Sequence, residues 1–339
     1  MPARREARPV RALCLQKRQG YPVRDETDTG NALLKRAGEL FEIVSGNRRA
    51  VVTEQGATLF RLNWDGVDLL TNPTDDGFGV EGCHGQALVP FPGRVDKGIY
   101  TYEGTRHELA IDEHRTESAI HGWVRWATWQ PKEHVTDRVS FTCRILGQPG
   151  YPFPFEYQQS YSWEDGPLEI IFIARNIGES TAPFGYGAHP YFTVGSKTVD
   201  DDVLQLPADQ YYRADEHLIT LEPALPVDGT PLDFRRARRV GPYKFDVTLG
   251  SLARDDKGRA VVTYASPDSS VSITCTYDEP IKFVQIFSGD TLPAHRREGL
   301  AIEPYTCVPD AFNNGLGLLH VPPGGEVKVR WAVSAEVRH

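Results

Sequence analysis

At 339 residues, with 40% hydrophobic and 24% charged side chains, the chain has the balance of an ordinary soluble globular protein and room for one large β domain or two smaller ones. No apolar run approaches the ~20 residues that span a bilayer. The formal net charge of −9 is uneven: residues 1–24 carry seven Arg/Lys against the single acid Glu6, leaving −15 on the remainder, and so acidic a body excludes nucleic-acid binding as the main task.

Tyr, Phe and Trp together number 35, beside 31 Gly and 25 Pro. So many ring and turn residues favour strands and loops over helices. The five cysteines, Cys14, Cys83, Cys143, Cys275 and Cys307, form no CxxC pair or Cys/His cluster. Scattered reduced thiols in a cytoplasmic protein are expected, and no metal site.

Residues 1–35 read as a basic, flexible N-terminal extension, too short in its apolar stretch and too charged for a secretory signal. From about Glu39 a period of two sets in. Segments 40–44, 49–53, 58–64 and 67–70 alternate apolar and polar residues between the turn signals Gly46-Asn47, Gly56 and Asp65-Gly66. Further strands are expected at 87–95, 98–104, 139–146, 155–163, 168–176, 261–264, 270–277, 283–287 and 327–333. The stretch 195–260, rich in Pro, Asp and Arg, reads as a set of loops across one face. No amphipathic helix exceeds two turns. Evenly spaced strands without a long linker predict one all-β domain over 36–339, a large antiparallel β-sandwich with few short helices.

Five places carry candidate chemistry. Arg94 follows Pro90, Pro92 and Gly93, which stiffen a strand end; its fixed fork of donors suits sugar hydroxyls or a carboxylate. His121 stands between a small apolar pair and Gly122-Trp123, where a ring nitrogen faces a cleft or is satisfied by backbone in the core. His189 lies in 184–192, FGYGAHPYF. Its glycines permit close backbone approach and Pro190 fixes the chain direction, while Tyr186, Tyr191 and Phe192 can pack the ring or stack on a sugar. Asp246 sits in a short apolar segment, the position of an N-cap or a ligand. Glu303 follows the apolar run Leu300-Ala301-Ile302 and is pinned by Pro304; a carboxylate buried there needs a partner or a use. There is no Gly-x-Ser-x-Gly elbow, P-loop, Gly-x-Gly-x-x-Gly or His-Glu-x-x-His motif.

Arg94 after a Pro-aromatic pair, His121-Gly122-Trp123, His189-Pro190-Tyr191-Phe192 and Ile302-Glu303-Pro304 occur in an order and spacing that resembles the aldose 1-epimerase (galactose mutarotase) family. The likeness covers about residues 36–336. The closing run Glu303–Asn313, with Asp246 ahead of it, looks most like the family's bacterial branch. The resemblance implies a sandwich with an open sugar cleft across one sheet. It implies Glu303 as base on the anomeric hydroxyl, His189 as acid on the ring oxygen and His121 as a second imidazole beside that oxygen. Arg94, Asp246 and Tyr191 would hold the sugar. A monosaccharide substrate, no cofactor, and a monomer or weak homodimer go with it. One departure stands out: many relatives place Asn before the arginine, and here it is Gly93. Two rivals remain, a hexose-6-phosphate 1-epimerase using Arg235, Arg236, Arg238 and Arg239, and a non-catalytic carbohydrate-binding sandwich.

Overall fold

Alternation is the rule that builds this molecule, and the computed structural model describes it over residues 37–71, 82–163, 166–293 and 295–338. Strand Phe155–Ser162 turns Phe155, Tyr157 and Tyr161 inward and Glu156 and Gln158 outward. Val271–Tyr277 alternates buried and half-buried side chains along its whole length. Such a pattern fits a strand with one face on a core and one toward water.

Nine strands make the larger sheet, in the order Gln130–Val135, Arg138–Ile145, Phe155–Ser162, Leu168–Asn176, Glu326–Val337, Val271–Tyr277, Ala260–Ala265, Val203–Gln205 and Arg238–Arg239. A second sheet runs Thr220–Pro226, Ala208–Ala214, Asp246–Leu252, Phe283–Phe287, Leu300–Tyr305, Gly187–Ala188 and Ala87–Leu88, with Tyr191–Phe192 also on Leu300–Tyr305. The strand pairings in both sheets are antiparallel. One hydrophobic cluster joins the two, with Phe141, Phe155 and Phe172 from the first meeting Leu249, Ile286 and Ile302 from the second. The expected antiparallel sandwich is the fold. Helical segments among the described residues include a 3₁₀ turn at Val124–Trp126 and a single α turn at Ala311–Asn314.

The stretch 195–260 departs from its reading as loops. It supplies Val203–Gln205, Ala208–Ala214, Thr220–Pro226, Arg238–Arg239 and Asp246–Leu252. Thr220–Pro226 is the edge strand of the second sheet and Ala208–Ala214 lies next to it; both are largely exposed, so their polar composition hides the alternation. The expected extension, 1–35, and Cys14 lie outside the described residues. The remaining four cysteines are free and buried.

Strand Leu300–Tyr305 is buried at all six positions. Leu300 and Ile302 enter the main cluster, so the pleat turns Ala301, Glu303 and Tyr305 to the opposite face of the sheet. Phe283–Phe287 does the same beside it: Val284 and Ile286 enter the core, and Gln285 lies opposite Glu303. Two sheet faces thus exist at this strand, one dry between the sheets and one lining a cleft.

Candidate active site

The cleft has a volume of about 590 Å³, within the ~300–1,000 Å³ of small-molecule sites. Arg94, His121, His189, Tyr191, Asp246 and Glu303 all line it. These six come from five separate segments, brought together by the second sheet and the antiparallel strand pair of Arg94–Asp96 with Ser118–Ile120.

Glu303 is 1% exposed. Its Oε2 accepts a hydrogen bond from the Tyr305 hydroxyl at 2.7 Å, and its Oε1 lies 3.5 Å from His189 Nε2. Burial pushes the carboxyl well above its ordinary value; the Tyr305 hydrogen bond and Arg94 pull the other way, and Asp246 adds to the rise. Tyr305 was not foreseen. It stands two residues after Glu303, so the period of two puts both on one face.

His189 follows the short strand Gly187–Ala188. Its main-chain N–H donates to Gln86 O at 3.0 Å, and its carbonyl accepts from Gly85 N–H at 2.8 Å. Gly187 permits the close approach: a Cβ there would meet Pro92 Cβ at 2.7 Å and the Tyr305 ring at 2.8 Å. Tyr186 and Phe192 of the same segment lie in the core, not in the cleft, and Tyr186 accepts a hydrogen bond from Trp331 Nε1 at 2.9 Å.

His121 sits in left-handed backbone, φ +61°. Its Nδ1 accepts from Gly93 N–H at 3.1 Å, while its own N–H donates to Gly93 O at 2.8 Å. An Nδ1 that accepts carries no proton, so this ring is the neutral Nε2–H tautomer. The two imidazoles meet edge-on, with centroids 5.5 Å apart. Burial lowers both pKa values well below 6.5, with each ring's neighbours contributing: His189 and Arg125 for His121, and His84 and Arg125 for His189.

Arg94 is held from behind. Its Nε donates to Thr116 Oγ1 at 3.2 Å and to Glu113 Oε2 at 3.4 Å, and the Asp310 N–H grips its carbonyl at 2.6 Å. Asp246 accepts from Gln285 Nε2 at 2.7 Å, and Thr248 donates to Gln285 Oε1 at 2.6 Å. Burial raises the Asp246 carboxyl above its ordinary value, against the pull of Arg94. Gln285 therefore links Asp246 to the neighbourhood of Glu303; it belongs to no motif, and only its register opposite Glu303 marks it. Arg125, 4% exposed, was also missed. It bonds to Asp112, to the Ile120 and Gly122 carbonyls and to Cys83 Sγ, which ties down the turn carrying His121.

The arginines considered for a phosphate lie elsewhere. Arg235 is paired with Asp209, Asp228 and Asp233, Arg239 with Asp201, and Arg238 covers the Phe234 ring. None of the four, Arg236 included, lines the cleft. Among the described residues, no group of three His, Cys, Asp or Glu side chains is arranged to hold a metal ion. No helix among them is long and apolar enough to cross a membrane.

With this geometry in view, the chain can be set beside known proteins. Residues 39–334 match the family model for aldose 1-epimerase. The uncharacterized protein YihR of Escherichia coli is 33% identical over 291 residues, 85% of this chain and 90% of that one. Human galactose mutarotase is 29% identical over 167 residues, 47% of each chain, so that match spans about half of the relative's length. Among solved structures, a GalM/aldose epimerase homologue from C. elegans superposes with a TM-score of 0.79 at 19% identity, covering 88% of this chain and 99% of its own. Galactose 1-epimerase from Lactobacillus acidophilus gives 0.74 at 19% identity, covering 88% and 95%. These two are likenesses of fold. The family model over nearly the whole described chain, with a full-length relative above 30% identity, shows that the chain belongs to the aldose 1-epimerase family.

Proposed function

We propose that this chain interconverts the α and β anomers of a free hexose such as glucose or galactose, by acid–base ring opening without a cofactor. The observation that carries the reading is the buried Glu303 carboxylate facing the His189 imidazole at 3.5 Å at the floor of a sugar-sized cleft. The reaction needs one proton removed and one supplied. Glu303 takes the proton of the C1 hydroxyl, the C1–O5 bond breaks to an aldehyde, and O5 takes a proton from His189. C1 turns about C1–C2, and the same steps in reverse close the ring on the other face.

His121 serves as a fixed N–H donor to the ring oxygen, since the Gly93 N–H on its Nδ1 opposes the imidazolium form. His189 has no such donor against it, which favours it as the acid. Arg94, Asp246 and Gln285 hold hydroxyls, with Arg94 oriented by Glu113 and Thr116. Each well-placed acid or base contributes roughly 10²–10⁴-fold, and holding the sugar adds more.

A non-catalytic binding sandwich would have no use for a buried carboxylate set against an imidazole. Arg235, Arg236, Arg238 and Arg239 lie outside the cleft, but Arg115 and Arg213 line it, so the test includes a sugar phosphate. The test is polarimetry on freshly dissolved α-D-glucose, α-D-galactose, other aldoses and glucose 6-phosphate. Turnover of a free hexose that vanishes in Glu303→Gln is expected; turnover of glucose 6-phosphate alone, or of nothing, would overturn the reading.

A further inference from the structure

An imidazole that transfers a proton usually has its second nitrogen fixed by a hydrogen bond, which sets ring plane and tautomer. His121 follows that rule through Gly93. His189 does not: its Nδ1 is buried with no hydrogen-bond partner among the described residues beyond its own main-chain carbonyl, which favours the protonated ring. Something else must hold the ring toward Glu303.

Stacking supplies it. The Tyr191 ring lies parallel to His189, with centroids 4.7 Å apart and planes 15° apart. On its other face the His84 ring stacks at 4.0 Å and 19°. Tyr191 is 2% exposed, and Phe287 closes its edge at 6.2 Å. His84 is itself set by the chain next to it, whose Gly85 N–H donates to the His189 carbonyl. The three rings form a column whose end member is His189.

We propose that Tyr191 and His84 are positioning residues for His189, a stacked column that fixes the plane of its ring and offers a π face to the imidazolium that gives its proton to O5. This rests on the acid role given to His189 above, and it assigns Tyr191 a task other than holding the sugar. An aromatic face favours a nearby cation, and a misaimed acid forfeits part of its ~10²–10⁴-fold contribution. The charged and titratable groups around His189 are Glu303, His121, His84, Arg94 and Arg125; the column adds a neutral ring between two of them.

The experiment compares Tyr191→Leu, Tyr191→Phe, His84→Ala and His84→Phe with the parent chain, by steady-state polarimetry and by NMR titration of labelled histidine rings. Tyr191→Leu is expected to lower kcat about ten- to a hundredfold, to leave KM within about threefold, and to move the His189 titration to lower pH. Tyr191→Phe should restore kcat and titration together. A Phe variant as impaired as the Leu variant, or a loss confined to KM, would make the hydroxyl a sugar contact and overturn the proposal. If Tyr191→Leu does not fold, the His84 pair decides: a kcat loss with Ala that Phe rescues supports the column, and equal effects reject it. Should the parent chain turn over no aldose, the functional reading fails separately. The His189 titration in Tyr191→Leu then decides, its shift supporting the column and an unmoved titration rejecting it.

Discussion

Glu303 Oε1 and His189 Nε2 lie 3.5 Å apart, and the Tyr305 hydroxyl holds the other carboxylate oxygen at 2.7 Å. One oxygen is structural and the other faces the imidazole. That division explains how a carboxylate can be buried in the middle of a strand and still be available. The same burial that raises the Glu303 pKa makes its anion a stronger base toward a hydroxyl.

The first prediction follows from that division. Glu303→Gln keeps the shape and can still accept from Tyr305, but it cannot take a proton. Polarimetry should show kcat down by about 10³-fold or more, while isothermal calorimetry shows sugar affinity within about threefold of the parent. A variant with parental turnover would remove Glu303 from the mechanism.

His121 and His189 should respond differently to Asn. His189→Asn removes the proposed acid and should approach the Glu303→Gln loss. His121→Asn leaves an N–H donor in a similar place and should cost about tenfold, near the worth of one hydrogen bond to a charge-developing oxygen. kcat/KM against pH should be bell-shaped. The low-pH limb reports proton uptake by the Glu303–His189 pair and the high-pH limb its loss, so both belong to the pair and not to either residue. If His121→Asn proved the more damaging of the two, their roles would have to be exchanged.

The six expected cleft residues could be found in the sequence because short motifs mark them: a proline or glycine beside each of Arg94, His121, His189 and Glu303 restricts the backbone in a visible way. The sandwich was visible for a similar reason, since central strands such as Val271–Tyr277 alternate cleanly. His84, Gln285 and Arg125 were not found. Gln285 is placed by its register with Glu303 and His84 by a stack on Tyr191, relations between distant segments that leave no local trace. The edge strands of 195–260 were hidden because exposed edges carry Pro and charge instead of alternation.

Gly93 shows how a departure from the family's pattern is built in. Its φ is +68°, and a Cβ would meet Pro309 Cγ at 2.7 Å and its Cα at 3.0 Å. Gly93→Asn alone should therefore destabilise by about 1–3 kcal/mol and raise KM by displacing Arg94, rather than restore a hydroxyl contact. Thermal melts of Gly93→Asn, Pro309→Ala and the double variant check this. A double variant more stable than Gly93→Asn is expected. Independent, additive losses would show that Pro309 is not the obstacle.

His217 reaches across from the edge hairpin, its Nδ1 3.0 Å from the Thr116 carbonyl. Because a carbonyl only accepts, Nδ1 is the donor there. Thr116 in turn bonds to Glu113 and to Arg94. Removing the imidazole frees the loop that orients Arg94. His217→Ala should raise KM about two- to tenfold, the equivalent of one hydrogen bond of ~0.5–1.5 kcal/mol, with kcat nearly unchanged. A fall in kcat at constant KM would place the effect on the acid–base pair instead.

The buried titrating groups should also leave opposite marks on stability against pH. Glu303 has its folded pKa raised above 4.5. Its protonated form is favoured by folding, so stability is full below 4.5 and is lost as pH rises through the folded value. His121 and His189 have folded pKa values below 6.5. Their contribution is present above 6.5 and is lost as pH falls toward the folded values, because the unfolded chain takes up protons that the folded rings refuse. Glu303→Gln should therefore melt at a higher temperature than the parent at pH 8, with the gap closing as pH falls toward 4.5. A His121→Asn, His189→Asn double variant should instead flatten the acid decline below 6.5. Melting scans across pH 4–9 test both, and a Glu303→Gln advantage that grew on acidification would mean the carboxyl is held ionised in the folded chain, by the His189 imidazolium.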